Sequence, residues 1–347
     1  MKKFIIIATA ALCLGACAYT KPSSNNNADT ERYLNAWITV HKQAQWKETP
    51  SGLGVWIMEE EEGKGAPLSE FTDSMYLSIV FTQSKLDGTI SATTSEAVSK
   101  QLGKYDETYY YGPIIYYAKG TYSGIEDAIK GMKKGGRRKV LIPSWLMTYS
   151  RFDTREEYLA QKPEDLGSTA IYDLTLVDYF EYLNRWSVDT VSRYLVKAYP
   201  EKYGSNTYKA AADSAGTFGF YYYQREAPSS TEELKDTTVY INYTGRLLNG
   251  LVFDTTIRDT AIFYGLPRNK TYAPVAVNYT ESWDEITMGS DKNSLIAGFK
   301  LTLSKMGLHE KGTGIFISSL GYGYKGSGST IPAYAPLRFD IELVDKP

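Results

Sequence analysis

The apolar and polar positions of this chain change period along its length, and the changes mark its elements. From Val239 the order alternates: Val239, Ile241 and Tyr243 fall on one side, Tyr240, Asn242 and Thr244 on the other. A period of two is that of a half-buried strand. Asn249-Gly250 closes the run with residues that take φ > 0 in a tight hairpin turn. The returning strand carries Phe253 directly before Asp254. An aromatic that belongs in a core thus stands beside a carboxylate that is costly to bury alone. Elsewhere the period is helical. Tyr33, Leu34, Trp37, Ile38 and His41 recur at helix spacing after Asp29-Thr30-Glu31, and His41 reads as one residue of that face. A second helical segment runs roughly from Phe180 to Tyr199. A third, short one carries Ile296, Phe299, Leu303 and Met306 on one face, with Ser294 a candidate cap.

The chain repeats itself. "GIEDAIKGMKKGGRRKVLIP" (Gly124 to Pro143) corresponds to "GFKLTLSKMGLHEKGTGIFIS" (Gly298 to Ser318), and "YDLTLVD" (Tyr172 to Asp178) to "FDIELVD" (Phe339 to Asp345). Each half opens with a helical segment and continues as several strands, one short helix and a closing strand. Two copies of one unit account for this pattern. A short helix laid across a bent antiparallel sheet makes each copy α+β.

Composition narrows the chemistry. The 347 residues are 43% hydrophobic, with 30 tyrosines, enough for two cores. The start is a targeting segment: Lys2 and Lys3, then the apolar run Phe4 to Leu14, too short to span a bilayer. Leu14-Gly15-Ala16-Cys17 looks like a bacterial lipobox, which implies cleavage before Cys17 and lipid on its sulfur. The remaining chain then has no free thiol. It has two histidines, His41 and His309, so Cys/His zinc sites and Cys–His nucleophile pairs are excluded. Loss of Lys2 and Lys3 leaves 36 Lys and Arg against 40 Asp and Glu, and nothing in that balance calls for nucleic acid. The basic run "KKGGRRK" (Lys133 to Lys139) reads as a solvated hairpin, Glu59 to Glu62 as a charged turn, and His309 as an exposed turn residue. The expected division is a signal segment over 1–16, a flexible tether over 17–30, a helix plus first unit over 31–178, a linker helix over 179–217 and a second unit over 218–347.

Four ordered blocks, "VYINYTGRLLNGLVFDTT", "LIAGFKLTLSKM", "LGYGYKGSGSTIP" and "LRFDIELVD", together resemble an FKBP-type peptidyl-prolyl cis-trans isomerase. The resemblance is close over roughly 218–347 and loose over 52–178. It implies an antiparallel sheet wrapped around a short helix, with the pocket between them. It places pocket residues at Tyr243, Phe253, Asp254, Leu295, Ile296, Phe299, Tyr322, Ile331 and Phe339. In that likeness Tyr322 and the Ile296 backbone N–H hold substrate carbonyls, and Asp254 accepts a hydrogen bond from Tyr243. Phe299 stands where the family most often has Trp, Ser327 where it has a loop aromatic or His, and Thr330 where it has an apolar residue. The activity implied needs no cofactor and no metal.

In the first unit the same alignment puts Phe81 at Tyr243, Ser91 at Phe253, Ala92 at Asp254, Ile125 at Phe299, Thr148 near Tyr322 and Tyr172 at Phe339. The scaffold is kept while the apolar wall and carboxylate are lost, which predicts a degenerate copy used for dimerisation, spacing or holding clients. The expected whole is a lipid-anchored isomerase of the cell envelope that acts on proline-containing exported polypeptides and not on nucleic acid. The alternative is a non-catalytic chaperone or binding lipoprotein that uses the same grooves. The long segment from residue 257 to 282 is expected to fold over the pocket rim as a flap.

Overall fold

The strand alternation that begins at Val239 becomes the strand Thr237–Leu247, in which Val239, Ile241, Tyr243 and Leu247 are buried. This computed structural model describes residues 27–152, 154–160, 167–203, 218–231, 234–289 and 293–347. Residues 1–26, which include the expected signal segment and Cys17, lie outside the described residues. Strand Thr237–Leu247 pairs antiparallel with Leu337–Val344 along one edge and with Val252–Thr255 and Val275–Tyr279 along the other. Lys311–Phe316 and Phe220–Glu226 extend the sheet beyond Leu337–Val344. The helix Ala297–Leu303 lies on the inner face of this sheet and buries Phe299, Leu301 and Leu303. Gly298 is required there, because a Cβ would overlap the Phe316 ring. Ser294 is not the cap. It pairs with Thr287 in a short strand, and the helix starts after Ile296, which offers no side-chain cap.

The first unit repeats this plan in matching register. Met75–Ser84 stands for Thr237–Leu247, Ile90–Thr93 for Val252–Thr255, and Ala170–Glu181 for Leu337–Val344. Tyr172 faces Gln83 where Phe339 faces Gly245, and Ala92 faces Gln83 where Asp254 faces Gly245. The threonine hydrogen bonds repeat as well. Thr82 and Thr93 hydroxyls meet at 2.8 Å, as Thr244 and Thr255 do at 2.9 Å. Phe81 N donates to Thr94 Oγ1 at 3.0 Å, as Tyr243 N does to Thr256 Oγ1 at 2.9 Å. The fold is therefore α+β, built from two bent antiparallel sheets, each around a short helix.

Each preceding helix covers the outer face of its own sheet. Leu34 of Asn27–His41 packs with Trp46, Leu141 and Ile171. Val188, Val191 and Leu195 of Leu183–Ala198 pack with Tyr221, Ile315 and Ile317. Two expected boundaries move. The first helix opens at Asn27, inside the stretch assigned to the tether. Phe180 and Glu181 belong to the strand that ends the first unit, because their edge pairs with Met75 and Tyr76; the linker helix begins only after Tyr182, at φ +58°.

Glu59 to Glu62 do not form a turn. Glu59, Glu60 and Glu61 sit in the strand Trp56–Glu61, opposite Lys139, Arg138 and Arg137. Cross-strand ion pairs join Arg137 to Glu61 at 2.8 Å and Arg138 to Glu60 at 2.7 Å. Each run alone looks like a solvated loop, and pairing makes both of them strands. Burial works against the Glu60 charge, but hydrogen bonds from Lys47 and Arg138 outweigh it and hold the carboxyl below its usual range. His41 stacks on Trp37 at 4.2 Å, and His309 is an exposed turn residue at φ +60° that contacts Asp345 at 2.9 Å.

Candidate active site

The hairpin that follows Thr237–Leu247 explains why Phe253 and Asp254 are neighbours. Its turn differs from expectation. Gly250 takes φ +98° while Asn249 does not, and Asn249 instead accepts from Leu251 N at 3.1 Å through its side chain. On the returning strand the register slips between Val252 and Asp254. A bulge of this kind sets two consecutive residues against one partner residue. Phe253 and Asp254 consequently both reach the inner face, which strict alternation would forbid.

The Tyr243-Thr244-Gly245 run has one role per residue. The Tyr243 ring turns inward and meets Phe299 edge-on at 5.4 Å. The Thr244 hydroxyl ties the two hairpin strands through Thr255 at 2.9 Å. Gly245 leaves room for two rings, since a Cβ there would overlap Phe253 and come within 2.8 Å of Phe339. Phe253 and Phe299 both stand edge-on to Phe339, at 5.5 and 4.9 Å, and Phe316 stacks beneath it at 5.9 Å. Such edge-to-face pairs stabilise a ring cluster beyond the area it buries. Phe299 and Phe339 are almost wholly buried, Ile331 is buried, and Leu295, Ile296 and Phe253 are half-buried around them.

The polar groups stand at the rim of this apolar floor. Tyr243 donates its hydroxyl to Asp254 Oδ2 at 2.6 Å. Burial first, then the Asp254 charge, pushes the Tyr243 phenol far above its ordinary range, so the proton stays on the tyrosine. Tyr322 is 38% exposed, and its phenol is also pushed up, by burial and then by the Asp254 charge. The structure thus gathers Tyr243, Phe253, Ile296, Phe299, Ile331 and Phe339 in one cluster, with Asp254 bonded to Tyr243 and Tyr322 near enough to feel the Asp254 charge.

Sequence reading missed Lys270, whose Nζ donates to Asp254 Oδ1 at 2.6 Å. It lies in the segment after the hairpin, which folds on its own small core of Ala261 and Leu266 against Val252, with Tyr264 and Tyr272 beside it. The flap expected over 257–282 is shorter than that. Val275–Tyr279 is a sheet strand paired with Thr237–Ile241, so the insertion ends at residue 274. The first unit has the same insertion, over residues 95–113: Ile114 pairs with Ile79 as Val275 pairs with Ile241. Both insertions open with a short helix, Glu96–Gln101 and Arg258–Phe263.

In the first unit the bulge survives, between Gln83 and Ser84, but Ser91 and Ala92 point no aromatic or carboxylate inward and are exposed. Tyr122 and Tyr172 take the inner face, with Tyr149 against Tyr122 at 4.6 Å. The Tyr172 ring is buried there, while Tyr149 stays exposed.

Residues 230–344 match the family described as FKBP-type peptidyl-prolyl cis-trans isomerase. The likeness to that family falls on the second unit. A probable FKBP-type peptidyl-prolyl cis-trans isomerase of Haemophilus influenzae is 29% identical over 124 residues, which is 35% of this chain and 41% of that protein. FK506-binding protein 2 of Candida glabrata is 35% identical over 108 residues, 31% of this chain and 62% of that one. The matched segment therefore spans less than two thirds of either relative. Among solved structures, the three FKBP domains of wheat FKBP73 align over 87% of this chain and 98% of that chain at 14% identity, with a TM-score of 0.29.

Proposed function

We propose that this protein is a peptidyl-prolyl cis-trans isomerase whose second unit carries catalysis, and that it assists folding of exported proteins in the cell envelope. The observation that carries the reading is the ring floor of Phe253, Phe299 and Phe339 beneath the Tyr243–Asp254 hydrogen bond. Rotation about a peptide bond is opposed by resonance, a barrier of about 18–20 kcal/mol. Uncatalysed X-Pro isomerisation accordingly takes tens to hundreds of seconds.

The planar amide is more dipolar than the twisted one. An apolar floor therefore disfavours the planar ground state relative to the twisted transition state, and differential stabilisation of that kind is catalysis. An acceleration of about 10⁴ requires only about 5.5 kcal/mol. Phe253, Ile296, Phe299, Ile331 and Phe339 enclose the prolyl ring and exclude water. Asp254 faces the carbonyl that leaves the amide plane, with its charge oriented by Tyr243 and Lys270. Tyr322 donates to a substrate carbonyl, as does the Ile296 backbone N–H at the start of the pocket helix. No nucleophile or general base takes part.

The envelope location is supported by the basic start, the short apolar run and the Leu14-Gly15-Ala16-Cys17 tetrapeptide. Acyl chains on Cys17 provide the membrane affinity in this reading, and the outer membrane, facing the periplasm or the cell surface, is the proposed site. Two experiments test it. The chain lacking residues 1–17 is assayed for isomerisation of a short X-Pro peptide, and a rate equal to background overturns the catalytic reading. Cys17→Ser is followed by membrane fractionation, and undiminished membrane association overturns the anchor.

A further inference from the structure

The insertion of the first unit, residues 95–113, reaches the second unit at both flanks of its pocket. On one flank Tyr110 N donates to Ser329 O at 3.0 Å, and the Tyr110 ring packs into the core cluster that contains Phe299, Ile331 and Phe339. Ser329 lies in the turn closed by the mutual backbone bonds of Ser327 and Ile331, at 2.8 and 3.0 Å, between the two pocket residues Tyr322 and Ile331. On the other flank the Glu107 side chain lies over Gly265 of the second unit's own insertion, so closely that a Cβ at Gly265 would overlap it. That insertion is the one that delivers Lys270 to Asp254. A third contact sets Tyr76 edge-on to Tyr334 at 5.4 Å, where Tyr334 holds a left-handed backbone at φ +62°.

The bracing segment is itself stiff. Asp106 Oδ1 accepts from Thr108 N and Thr108 Oγ1 at 2.8 and 2.7 Å. Tyr110 OH donates to Pro113 O at 2.9 Å, Tyr105 stacks on Tyr111 at 5.4 Å, and Gly112 N donates to Thr94 O at 2.9 Å. Glu107 and Tyr110 are therefore presented from a folded loop.

We propose that the second unit's substrate site is completed by the first unit, with Tyr110 as a positioning residue that holds the Tyr322–Ile331 loop in the shape that receives the substrate. The proposal rests on the isomerase reading for its effect on catalysis. Its physical core, the bracing of the loop, does not. A loop tip with few partners of its own opens readily, and each outside contact lowers the population of the open form. An apolar ring and a backbone hydrogen bond are the kind of contact that does this. The duplicate unit then has a reason to persist after losing its own aromatic wall: its insertion serves its neighbour.

The test uses the whole chain, with Tyr110→Ala, Tyr110→Leu and Tyr110→Phe. Amide hydrogen exchange is followed in the loop 322–331 and, as a control for folding, in the strand Leu337–Val344. Tyr110→Ala is expected to speed exchange in the loop about tenfold without changing the strand, and Tyr110→Phe is expected to restore wild-type protection. If the strand also loosens in the Ala variant, the Leu variant decides by the same comparison. In the isomerisation assay kcat/KM is expected to fall about tenfold, chiefly through KM, and to recover with Phe. Unchanged loop exchange overturns the bracing, whether or not the protein is an isomerase. Faster exchange with unchanged kcat/KM in an active enzyme overturns the claim that the brace serves the site. A wild-type chain without isomerase activity refutes the catalytic reading alone, and loop exchange still decides the brace.

Discussion

The Tyr243 hydroxyl and the Asp254 carboxylate are bonded at 2.6 Å across a bulged hairpin, and Lys270 holds the other carboxylate oxygen at the same distance. Both carboxylate oxygens thereby have a donor. In the proposed mechanism this charge faces the amide carbonyl that twists. Asp254→Ala removes that charge, and Tyr322→Phe removes a donor. Each is expected to lower kcat/KM by about 10- to 100-fold, or about 1.4–2.7 kcal/mol of transition-state stabilisation. Steady-state kinetics on a short X-Pro peptide measures it, and a change under twofold in both variants refutes their assigned roles. Phe253→Ala also leaves a cavity beside Phe339, so its melting temperature is to be measured before its rate is interpreted.

The insertion 257–274 is expected to restrict which peptides enter. It begins at the strand bearing Asp254 and returns Lys270 to that residue. Replacing 257–274 with a short turn is predicted to broaden the preference for the residue before proline while the sheet stays folded. Lys270→Met is the milder form. The ion pair is half exposed, so its loss should change selectivity by less than about 1 kcal/mol. A folded deletion variant with an unaltered substrate profile would show that the insertion is no flap.

The two units should contribute unequally to turnover. In the whole chain, Asp254→Ala combined with Tyr322→Phe is expected to bring the rate close to background. Tyr172→Leu, at the position equivalent to Phe339, should leave kcat within about twofold, because the first unit has no carboxylate at Ala92 and no aromatic at Ser91. Loss of turnover on Tyr172→Leu in a folded chain would place a second working site in the first unit.

Stability should fall steeply in alkali. Burial raises the phenols of Tyr110, Tyr116, Tyr172, Tyr221, Tyr222 and Tyr243 above the ordinary value of 10.0. Folded tyrosines then keep protons that unfolded ones release. A raised folded value means that stability is whole below pH 10 and declines as pH rises through the folded range. Denaturant midpoints are expected to be flat with respect to these groups between pH 8 and about 10, and to drop above it. Tyrosinate absorbance should appear together with loss of the fold for this group. A chain that stays folded while all 30 of its tyrosines ionise together near the ordinary value of 10.0 would contradict the burial argument.

Much of the second unit could be read from its residues because its signals are local. The alternation from Val239, the glycine of the turn and the helical spacing of Phe299, Leu303 and Met306 are set by neighbours a few residues apart. The internal repeat was legible for the same reason, and the register of Tyr172 and Phe339 agrees with it. Of the residues named by the family resemblance, Tyr243, Phe253, Phe299 and Phe339 are in ring contact. The proposed signal segment and the proposed anchor at Cys17 rest on sequence alone.

Other features depend on pairing between distant segments, which no local period encodes. Glu59 to Glu61 look like a turn until Arg137, Arg138 and Lys139 lie opposite them. Phe253 and Asp254 share a face only because a bulge breaks the alternation that their spacing implies. Lys270 is one of many exposed lysines until its loop returns to Asp254. Tyr110 is one of 30 tyrosines until its unit packs against the other. Local spacing determined the strands, the helices and the duplication. Only the packing of one segment on another decided which charges meet, where the insertions end, and that the loop beside Ile331 rests on a residue from the other unit.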